Sequence, residues 1–296
     1  MNILISGASG LIGQALSSHL KSQSHNIYIL NRNKPESNFN WNPDAGVIHL
    51  DPSITLDAVI NLNGVNIGDQ RWNASRKASI IDSRVNSTHL LAKTIASLEV
   101  PPRVFINASA IGFYGDTGSK LSNEQSDSGD NYLSDVVTHW EAAADPLKDT
   151  SVRTVFIRSG VVLSPKGGAL QKMLLPFKLA LGGAIGNGQQ FMSWISLTDE
   201  LRAIEYLLTH DIHGPVNLTA PNPVSNHTFT KALGKALKRP TLFPMPSLVV
   251  KILFGEMGKL LLLGSNRIEP QVLSQHGFKF KHPNIHSALK HELADE

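Results

Sequence analysis

The sequence predicts an α/β protein: a Rossmann-type, doubly wound parallel sheet followed by a smaller, mostly helical C-terminal substrate lobe. Two observations predict it. Short apolar runs alternate with helical periodicity through the first 160 residues, which is typical of βαβ units whose parallel strands are covered on both faces. A glycine-rich turn also lies between the first apolar run and the first helix, at the position where a dinucleotide-binding fold carries its phosphate loop.

The apolar patterns place the elements in chain order. Strands are predicted at 2–6, 26–30, 56–62, 104–108 and 152–157, and helices at 11–21, 72–98 and 132–147. After residue 160 the alternation loosens into short strands at 192–195 and 216–218, and then into short helices interrupted by prolines. We therefore predict a dinucleotide-binding domain over 1–165, with a returning segment at about 190–222, and a substrate lobe with a C-terminal tail domain over 166–296.

Composition excludes several classes of protein. Of the 296 residues, 41% are hydrophobic and 17% are charged, which is typical of a globular protein and not of a disordered one. The net charge is +3 and the basic residues are scattered, so no nucleic-acid partner is predicted. The chain has no cysteine, which excludes disulfides and thiolate metal sites, and no metal site is predicted. No signal peptide or bilayer-spanning apolar stretch is present, so we expect a cytoplasmic protein without a membrane partner.

The glycine turn reads Gly7-x-x-Gly10-x-x-Gly13 and opens the first predicted helix. Glycines at these positions let the backbone run close to a pyrophosphate, and the start of the helix offers unpaired N–H groups and a partial positive charge. The alternative interpretation is a tight structural turn without a ligand. The strand–turn–helix context favours dinucleotide binding.

The end of the second strand indicates which dinucleotide is bound. An NAD site usually carries an acidic residue there, which binds the ribose 2′-hydroxyl. This chain has Asn31 and Arg32 instead. A guanidinium can form paired hydrogen bonds with a 2′-phosphate, whereas an arginine at the solvent end of a strand is the alternative. The sequence therefore predicts NADP(H) rather than NAD(H).

Motifs along the whole chain resemble the extended short-chain dehydrogenase/reductase superfamily. They include the glycine turn, Asn61-Leu62-Asn63-Gly64 after a later strand and Ser109 after the next one. A narrower resemblance is to the sugar-nucleotide epimerase-like branch of this superfamily, which carries a small C-terminal tail domain of unknown function. It rests on Arg71-Trp72, Ser83-Arg84, Phe113-Tyr114-Gly115-Asp116, Trp140-Glu141, Arg158 to Leu163, Met173 to Phe177, Leu181-Gly182-Gly183 and Trp194-Ile195.

The resemblance implies roles for matching positions. It implies that the pyrophosphate lies against the glycine turn, the adenosine ribose beside the end of the second strand, and the nicotinamide near the end of a later strand. The implied cofactor-binding residues are Gly7, Gly10, Leu11, Ile12, Gly13, Asn31, Arg32, Leu62, Asn63, Gly64, Arg84, Ala108 and Val162. Asn63 departs from the usual Asn-Leu-Ala-Gly pattern, and the apolar Ile12 and Val162 are also compatible with a core position.

The catalytic pattern of the superfamily is incomplete in this chain. Reductases of this type use Tyr-x-x-x-Lys, in which the lysine lowers the pKa of the tyrosine so that it exchanges a proton with the substrate. The register set by Glu141 places Leu133 and Val137 at these positions, and no lysine lies between Lys120 and Lys148. Ser109 matches the serine that binds the substrate oxygen, and we predict Tyr114 as the substitute acid.

Three residues are predicted to bind a small-molecule substrate. Arg71 is a candidate for holding an anionic group, although a surface ion pair is equally compatible with it. Gly183 lies in the glycine-rich segment where relatives bind substrate, and Trp194 is a candidate for stacking on a ring, with a place in the core as its alternative. Relatives often form dimers through two long helices, so 72–98 and 132–147 are the candidates for a homodimer interface.

Two functions are compatible with these features. The first is an NADP(H)-dependent oxidoreductase or epimerase that acts on a hydroxyl- or carbonyl-bearing small molecule, with a sugar nucleotide as one candidate. The second is an NADP(H)-binding protein with little or no turnover that reports redox state. Ser109 and the glycine-rich segment near residue 183 favour the first, and the missing tyrosine–lysine pair favours the second.

Overall fold

A six-stranded parallel sheet forms the centre of the molecule, in a computed structural model that describes residues 1–32, 34 and 36–294. Its strand order is β11-β7-β6-β5-β1-β2. The strands in chain order are β1 (Asn2–Ser6), β2 (Asn26–Leu30), β3 (Asn40–Asn42), β4 (Val47–His49), β5 (Ala58–Asn61), β6 (Val104–Ala110), β7 (Arg153–Ser159), β8 (Val161–Leu163), β9 (Phe191–Met192), β10 (Trp194–Ser196), β11 (Gly214–Leu218) and β12 (Val224–Ser225). The predicted doubly wound α/β fold is confirmed.

Helices cover both faces of this sheet. In chain order, the α-helices of the described residues are α1 (Leu11–Ser22), α2 (Ala74–Ala96), α3 (Tyr132–Ala142), α4 (Gly168–Lys178), α5 (Leu197–Thr209), α6 (Asn226–Leu237), α7 (Ser247–Leu261), α8 (Gln271–Gln275) and α9 (Ile285–Glu292). Helices α1 and α5 pack on one face through a core that contains Leu16, Leu20 and Leu207. Helix α2 packs on the other face through Leu91 and Ile95. Within the described chain, no helix is long and apolar enough to cross a membrane.

The second half of the chain adds to the sheet and also forms a separate cluster. Strand β11 joins β7 in the main sheet, and β10 pairs with β8. Helices α4, α6 and α9 pack around their own apolar core, which includes Leu170, Phe229 and Leu289. The tail also returns: Leu273 and Phe278 lie in the same core as β1 and α1. The predicted division at residue 165 is therefore crossed twice by the chain.

Several elements differ from the sequence prediction for local reasons. The third helix ends at Ala142, and residues Asp145–Leu147 form a 3₁₀ turn that contains Pro146. The hairpin of β3 and β4 was not predicted because each strand has only three residues. Helix α5 was also missed, although Ser196 caps it by accepting a hydrogen bond from the Asp199 amide at 3.0 Å.

Candidate functional site

The glycine turn follows β1, and the strands that come after β1 in the chain are added to the sheet on both sides of it. Strand β1 has β2 on one side and β5 on the other, so the carboxyl ends of β1 and β5 border the crevice where such folds bind ligands. Gly7 has φ +71°, and a Cβ there would lie 2.5 Å from the carbonyl oxygen of Leu62. A Cβ on Gly13 would lie 2.7 Å from the Cα of Ala8. Both glycines are therefore required by the chain's own packing.

Gly10 has a different environment. A Cβ on Gly10 would meet only the carbonyl oxygen of Gly7, at 3.4 Å, and the residue is exposed. It is also the N-cap of α1, and no side chain caps the helix there. The first N–H groups of α1 are therefore not capped by a side chain, and a helix start of this kind can bind an anion.

The loop after β5 is held by a buried hydrogen-bond network. Asn61 accepts a hydrogen bond from the Ser6 hydroxyl at 2.6 Å and donates to Asn107 at 2.7 Å and to Thr88 at 3.0 Å. The side chain of Asn63 donates to the Ser83 carbonyl of α2 at 3.2 Å. Asn63, which departs from the family pattern, therefore has a structural role, because it holds the loop against α2.

Arg84 on α2 is a cation without an acidic partner in the described part of the chain. Its guanidinium donates to the carbonyls of Ile80 at 3.0 Å and Val65 at 3.2 Å, and it lies 4.9 Å from the centre of the Trp140 ring. Burial lowers the pKa of Arg84 to about 10. Gly64 adjoins it, since a Cβ on Gly64 would lie 3.2 Å from Cζ of Arg84. A buried guanidinium beside a glycine loop can hold an anionic ligand.

The end of β2 carries the residues predicted to select the dinucleotide. Asn31 is half-buried, and its side-chain amide donates to the Ile29 carbonyl at 2.9 Å and to the Ser37 hydroxyl at 3.1 Å. Arg32 is exposed and makes no hydrogen bond or ion pair with another described residue. Its guanidinium is therefore available to a phosphate.

The other predicted cofactor residues line the carboxyl edge of the sheet. Leu11 packs against the start of α4, because a Cβ on Gly167 would lie 3.3 Å from its side chain. Ile12, Ala108 and Val162 are partly buried and pack against the core of β1 and α1. The packing of these apolar residues is therefore that of a core, and their predicted contact with the cofactor stays a prediction.

Ser109 belongs to a buried ionic group between β6, β7 and α3. Its hydroxyl donates to Oε1 of Glu141 at 2.6 Å, and Arg158 donates to the same carboxylate from Nε at 2.8 Å and from Nη2 at 2.7 Å. Ser109 is directly opposite Arg158 in the β6–β7 register. Burial alone would lower the pKa of Arg158, but the hydrogen bonds and charge of Glu141 outweigh it and raise the pKa.

Tyr114 lies in the same group but is not free to act as an acid. Its side chain is 4% exposed, and its hydroxyl donates to Asn217 at 2.8 Å while accepting from Arg158 at 3.1 Å. Burial also raises the pKa of Tyr114. These contacts favour a structural role for Tyr114 over the predicted role in proton transfer.

Helix α3 presents apolar side chains where the superfamily places its tyrosine and lysine. Gly112 adjoins this surface, since a Cβ there would lie 3.3 Å from Cβ of Leu133 and 3.8 Å from a methyl group of Val137. Tyr132 instead donates its hydroxyl to the Lys77 carbonyl at 2.9 Å, which ties α3 to α2. The described part of α3 therefore supplies no proton donor beside Ser109 other than Glu141.

The three predicted substrate residues are held by the chain itself. Trp194 is fully buried and donates its ring N–H to the Asn222 carbonyl at 3.2 Å, so the structure contradicts its predicted contact with a substrate. Gly183 packs against the backbone of Phe243 and Pro244, and this contact requires a glycine. Arg71 donates to the Ile252 carbonyl at 3.0 Å and so connects the loop before α2 to α7.

The ion pair of Glu141 and Arg158 was not predicted from the sequence as part of the site. A signal was present: Arg158 interrupts the apolar run 155–163, and a charge in a buried parallel strand needs a partner. Asn107 and Thr88 were also missed, because their roles depend on contacts between distant strands and helices.

Comparisons with known proteins show the family of this chain. The model of the NAD dependent epimerase/dehydratase family matches residues 3–218, and a domain of unknown function, DUF1731, matches residues 245–292. Epimerase family protein Mb2239 of Mycobacterium bovis is 41% identical over 290 residues, covering 97% of this chain and 96% of that protein. Epimerase family protein SDR39U1 of Homo sapiens is 36% identical over 298 residues, covering 99% of this chain and all of that protein.

Solved structures give the same result. The crystal structure of human epimerase family protein SDR39U1 (isoform 2) with NADPH is 34% identical, with a TM-score of 0.93 and full coverage of both chains. The nucleoside-diphosphate sugar epimerase from Corynebacterium glutamicum is 33% identical, with a TM-score of 0.79, covering all of this chain and 59% of that one. On these matches, the chain belongs to the NAD dependent epimerase/dehydratase family and carries the DUF1731 domain at its C-terminal end.

Proposed function

We propose that this protein binds NADP(H) in the crevice between the ends of β1 and β5. The observation that carries the proposal is the open, uncapped start of α1 at Gly10, with the cations Arg32 and Arg84 lacking acidic partners among the described residues. The pyrophosphate would lie over the Gly7–Gly13 turn, and Arg32 would bind the 2′-phosphate. The human relative whose crystal structure names NADPH supports this choice.

For the reaction, we propose an oxidoreductase or epimerase acting on a small molecule with a hydroxyl or carbonyl group, with a sugar nucleotide as one candidate. NADP(H), when bound, supplies hydride transfer at its nicotinamide ring. Ser109 would contact the substrate oxygen, and Glu141 would orient the Ser109 hydroxyl. Arg158 holds the Glu141 carboxylate in place with two hydrogen bonds.

A second candidate is an NADP(H)-binding protein with little or no turnover, whose occupancy reports redox state. The apolar Leu133 and Val137 favour it, because they replace the pair that exchanges the substrate proton in the superfamily. The commitment of the Ser109 proton to Glu141 favours it as well, because a substrate oxygen would have to compete with a carboxylate for that proton.

Cofactor choice is tested by thermal unfolding with NADPH and NADH. We expect NADPH to raise the melting temperature more than NADH, because the hydrogen bonds of one guanidinium to a phosphate correspond to roughly a tenfold to hundredfold difference in affinity. Arg32→Ala should remove this difference. Lys34→Ala, two positions further along the same exposed segment, is the matched control and should retain it. Equal shifts from both cofactors in the wild-type protein would contradict the assignment of NADP(H).

Turnover is tested separately. The protein is mixed with NADPH and a panel of carbonyl compounds, or with NADP⁺ and sugar nucleotides, and absorbance of the reduced nicotinamide is followed. Epimerisation returns the hydride to the substrate and leaves this absorbance unchanged, so it is followed by chromatography of the sugar nucleotides. Any turnover should fall in Ser109→Ala while the NADPH-induced melting shift stays unchanged. Tight NADPH binding without turnover of any compound would favour the second candidate over the first.

A further inference from the structure

The exposed apolar side chains are concentrated on the C-terminal lobe. Among the described residues, the large hydrophobic side chains that are exposed outside this lobe are Val47, Val100 and Leu121. All the others lie between residues 175 and 261. We define the apolar face as Leu175, Leu179, Leu181, Leu242, Phe243, Leu248, Val249, Ile252 and Leu253, whose exposed fractions run from 39% to 74%.

These residues form one surface because their segments contact one another. The Phe243 amide donates to the Gly182 carbonyl at 3.3 Å, and Arg239 donates to the Lys178 carbonyl at 2.9 Å. The end of α4 and the segment that leads into α7 are therefore adjacent. All residues from 242 to 249 are exposed, and Val250 and Gly258 are the only buried residues of α7. Exposed apolar surface on this scale marks an interaction site.

Two segments of this lobe, which carry the apolar face, are basic. Residues 166–190 and 223–263 contain nine lysines and arginines and a single acidic residue, Glu256. The whole chain has a net charge of only +3, so the rest of the molecule is acidic overall. Glu256 is already paired with Lys77 of α2 at 2.9 Å. Lys235 and Lys251 are exposed and form no ion pair with a described acid.

Charge complementarity indicates the occupant of this face. A symmetric dimer through the apolar face would bring the same cations of two copies together, and this repulsion disfavours a second copy. An anionic surface would instead be attracted to the lysines while the apolar side chains enter a hydrocarbon layer, as in amphipathic helices that lie in the membrane interface.

We propose that the apolar face docks this protein on the surface of an anionic phospholipid bilayer. The first two turns of α7 and the segment 242–246 would lie in the headgroup region, with Leu248, Ile252 and Phe243 inserted and Lys251 near the lipid phosphates. The backbone of α7 is broken at Gly255, which has φ +59°, so α7 is not one continuous helix. We therefore propose that it lies on the membrane surface and does not cross the bilayer.

Vesicle co-sedimentation tests the proposal. The full chain is mixed with vesicles of phosphatidylcholine alone or of phosphatidylcholine with phosphatidylglycerol. We expect binding to the anionic vesicles that weakens as salt is added, and little binding to the neutral ones. Leu248→Glu/Ile252→Glu should weaken binding to the anionic vesicles by at least about tenfold. Lys251→Gln should weaken it about fivefold, which is the usual contribution of one cation near such a membrane.

Val100→Glu is the matched control, because Val100 is 62% exposed and lies outside the lobe. Its binding should equal that of the wild-type protein. Melting curves show whether each variant is folded, and Lys251→Gln keeps the test decisive if the double variant does not fold. Binding that is absent from anionic vesicles, or that is unchanged in the folded double variant, would overturn the proposal. So would a dimer, measured by light scattering, that the double variant converts to a monomer.

Discussion

Replacing Arg158 with methionine tests whether the ionic group of Ser109, Glu141 and Arg158 fixes the carboxyl edge of the sheet. Arg158 is 3% exposed, and its guanidinium donates two hydrogen bonds to Glu141 and one to Tyr114. Its Cζ also lies 3.4 Å from the centre of the Phe113 ring. Methionine fills a similar volume without charge, so Arg158→Met removes the hydrogen bonds while leaving most of the apolar contact.

The expected loss of stability follows from the Glu141 carboxylate, which remains in the variant without its partner. Removing one partner of a buried ion pair leaves an uncompensated charge and costs about 3–5 kcal/mol. The Glu141 side chain is 14% exposed, so partial contact with water places the expected loss nearer the lower end of that range. For a chain of this length we expect the melting temperature to fall by roughly 6–12 °C.

A double-mutant cycle in urea separates the pair from its surroundings. Arg158→Met and Glu141→Gln are measured alone and together, with Lys148→Met as a surface control, since Lys148 pairs with Asp145 at 2.8 Å and both side chains are more than half exposed. The double variant should be less destabilised than the sum of the single variants, by about 1–3 kcal/mol. A loss below about 1 kcal/mol in Arg158→Met would refute the reasoning, because that is the range of a surface pair.

Three further outcomes follow from the site. Gly10→Ala should fold normally and weaken NADPH binding, whereas Gly13→Ala should lower the melting temperature, because a Cβ on Gly10 would stay 3.4 Å from the Gly7 carbonyl oxygen while a Cβ on Gly13 would lie 2.7 Å from the Cα of Ala8; equal melting temperatures would contradict this. Arg84→Met should weaken NADPH binding at least about tenfold while changing the stability of the free protein by less than about 2 kcal/mol; a calorimetric titration together with a urea curve measures both. Burial raises the pKa of Glu200 from 4.5 to about 8, so the folded protein keeps a proton that the unfolded chain releases. Stability should therefore fall as pH rises from about 4.5 to 8, by about 3–5 kcal/mol, and Glu200→Gln should flatten that part of the urea-unfolding profile; a profile that is as steep in the variant would contradict the assignment to Glu200.

The N-terminal half of the fold was predictable because its signals are local. The alternation of β1, α1 and β2 follows from periodicity within windows of a dozen residues. The glycine turn was predictable because a crevice of this kind requires a close backbone contact, which here is the contact between Gly7 and Leu62. The NADP(H) prediction needed only the residue type at the end of one strand. These features do not depend on how distant segments are arranged.

The remaining features depend on distant contacts. Ser109 and Arg158 become partners because β6 and β7 are in register, and Glu141 reaches them from α3. Trp194 was predicted to contact a substrate, but its side chain is buried where the lobe packs on β10. No local sequence pattern distinguishes a buried tryptophan of this kind from an exposed one. The two basic segments of the lobe were also missed, because their lysines are scattered in sequence and only the lack of nearby acids makes them basic.

The geometry of Ser109 connects the stability of this site to the choice between the two candidate functions. Dinucleotide binding is required by both, so the glycine turn and the cations do not distinguish them. Reduction of a carbonyl requires a proton for the new hydroxyl, and among the described residues Glu141 is the only titratable group that contacts Ser109. Arg158 donates one hydrogen bond to each oxygen of that carboxylate, so both oxygens already have a partner within the ion pair. The ion pair that fixes the sheet edge is therefore also the feature that limits proton transfer through Ser109.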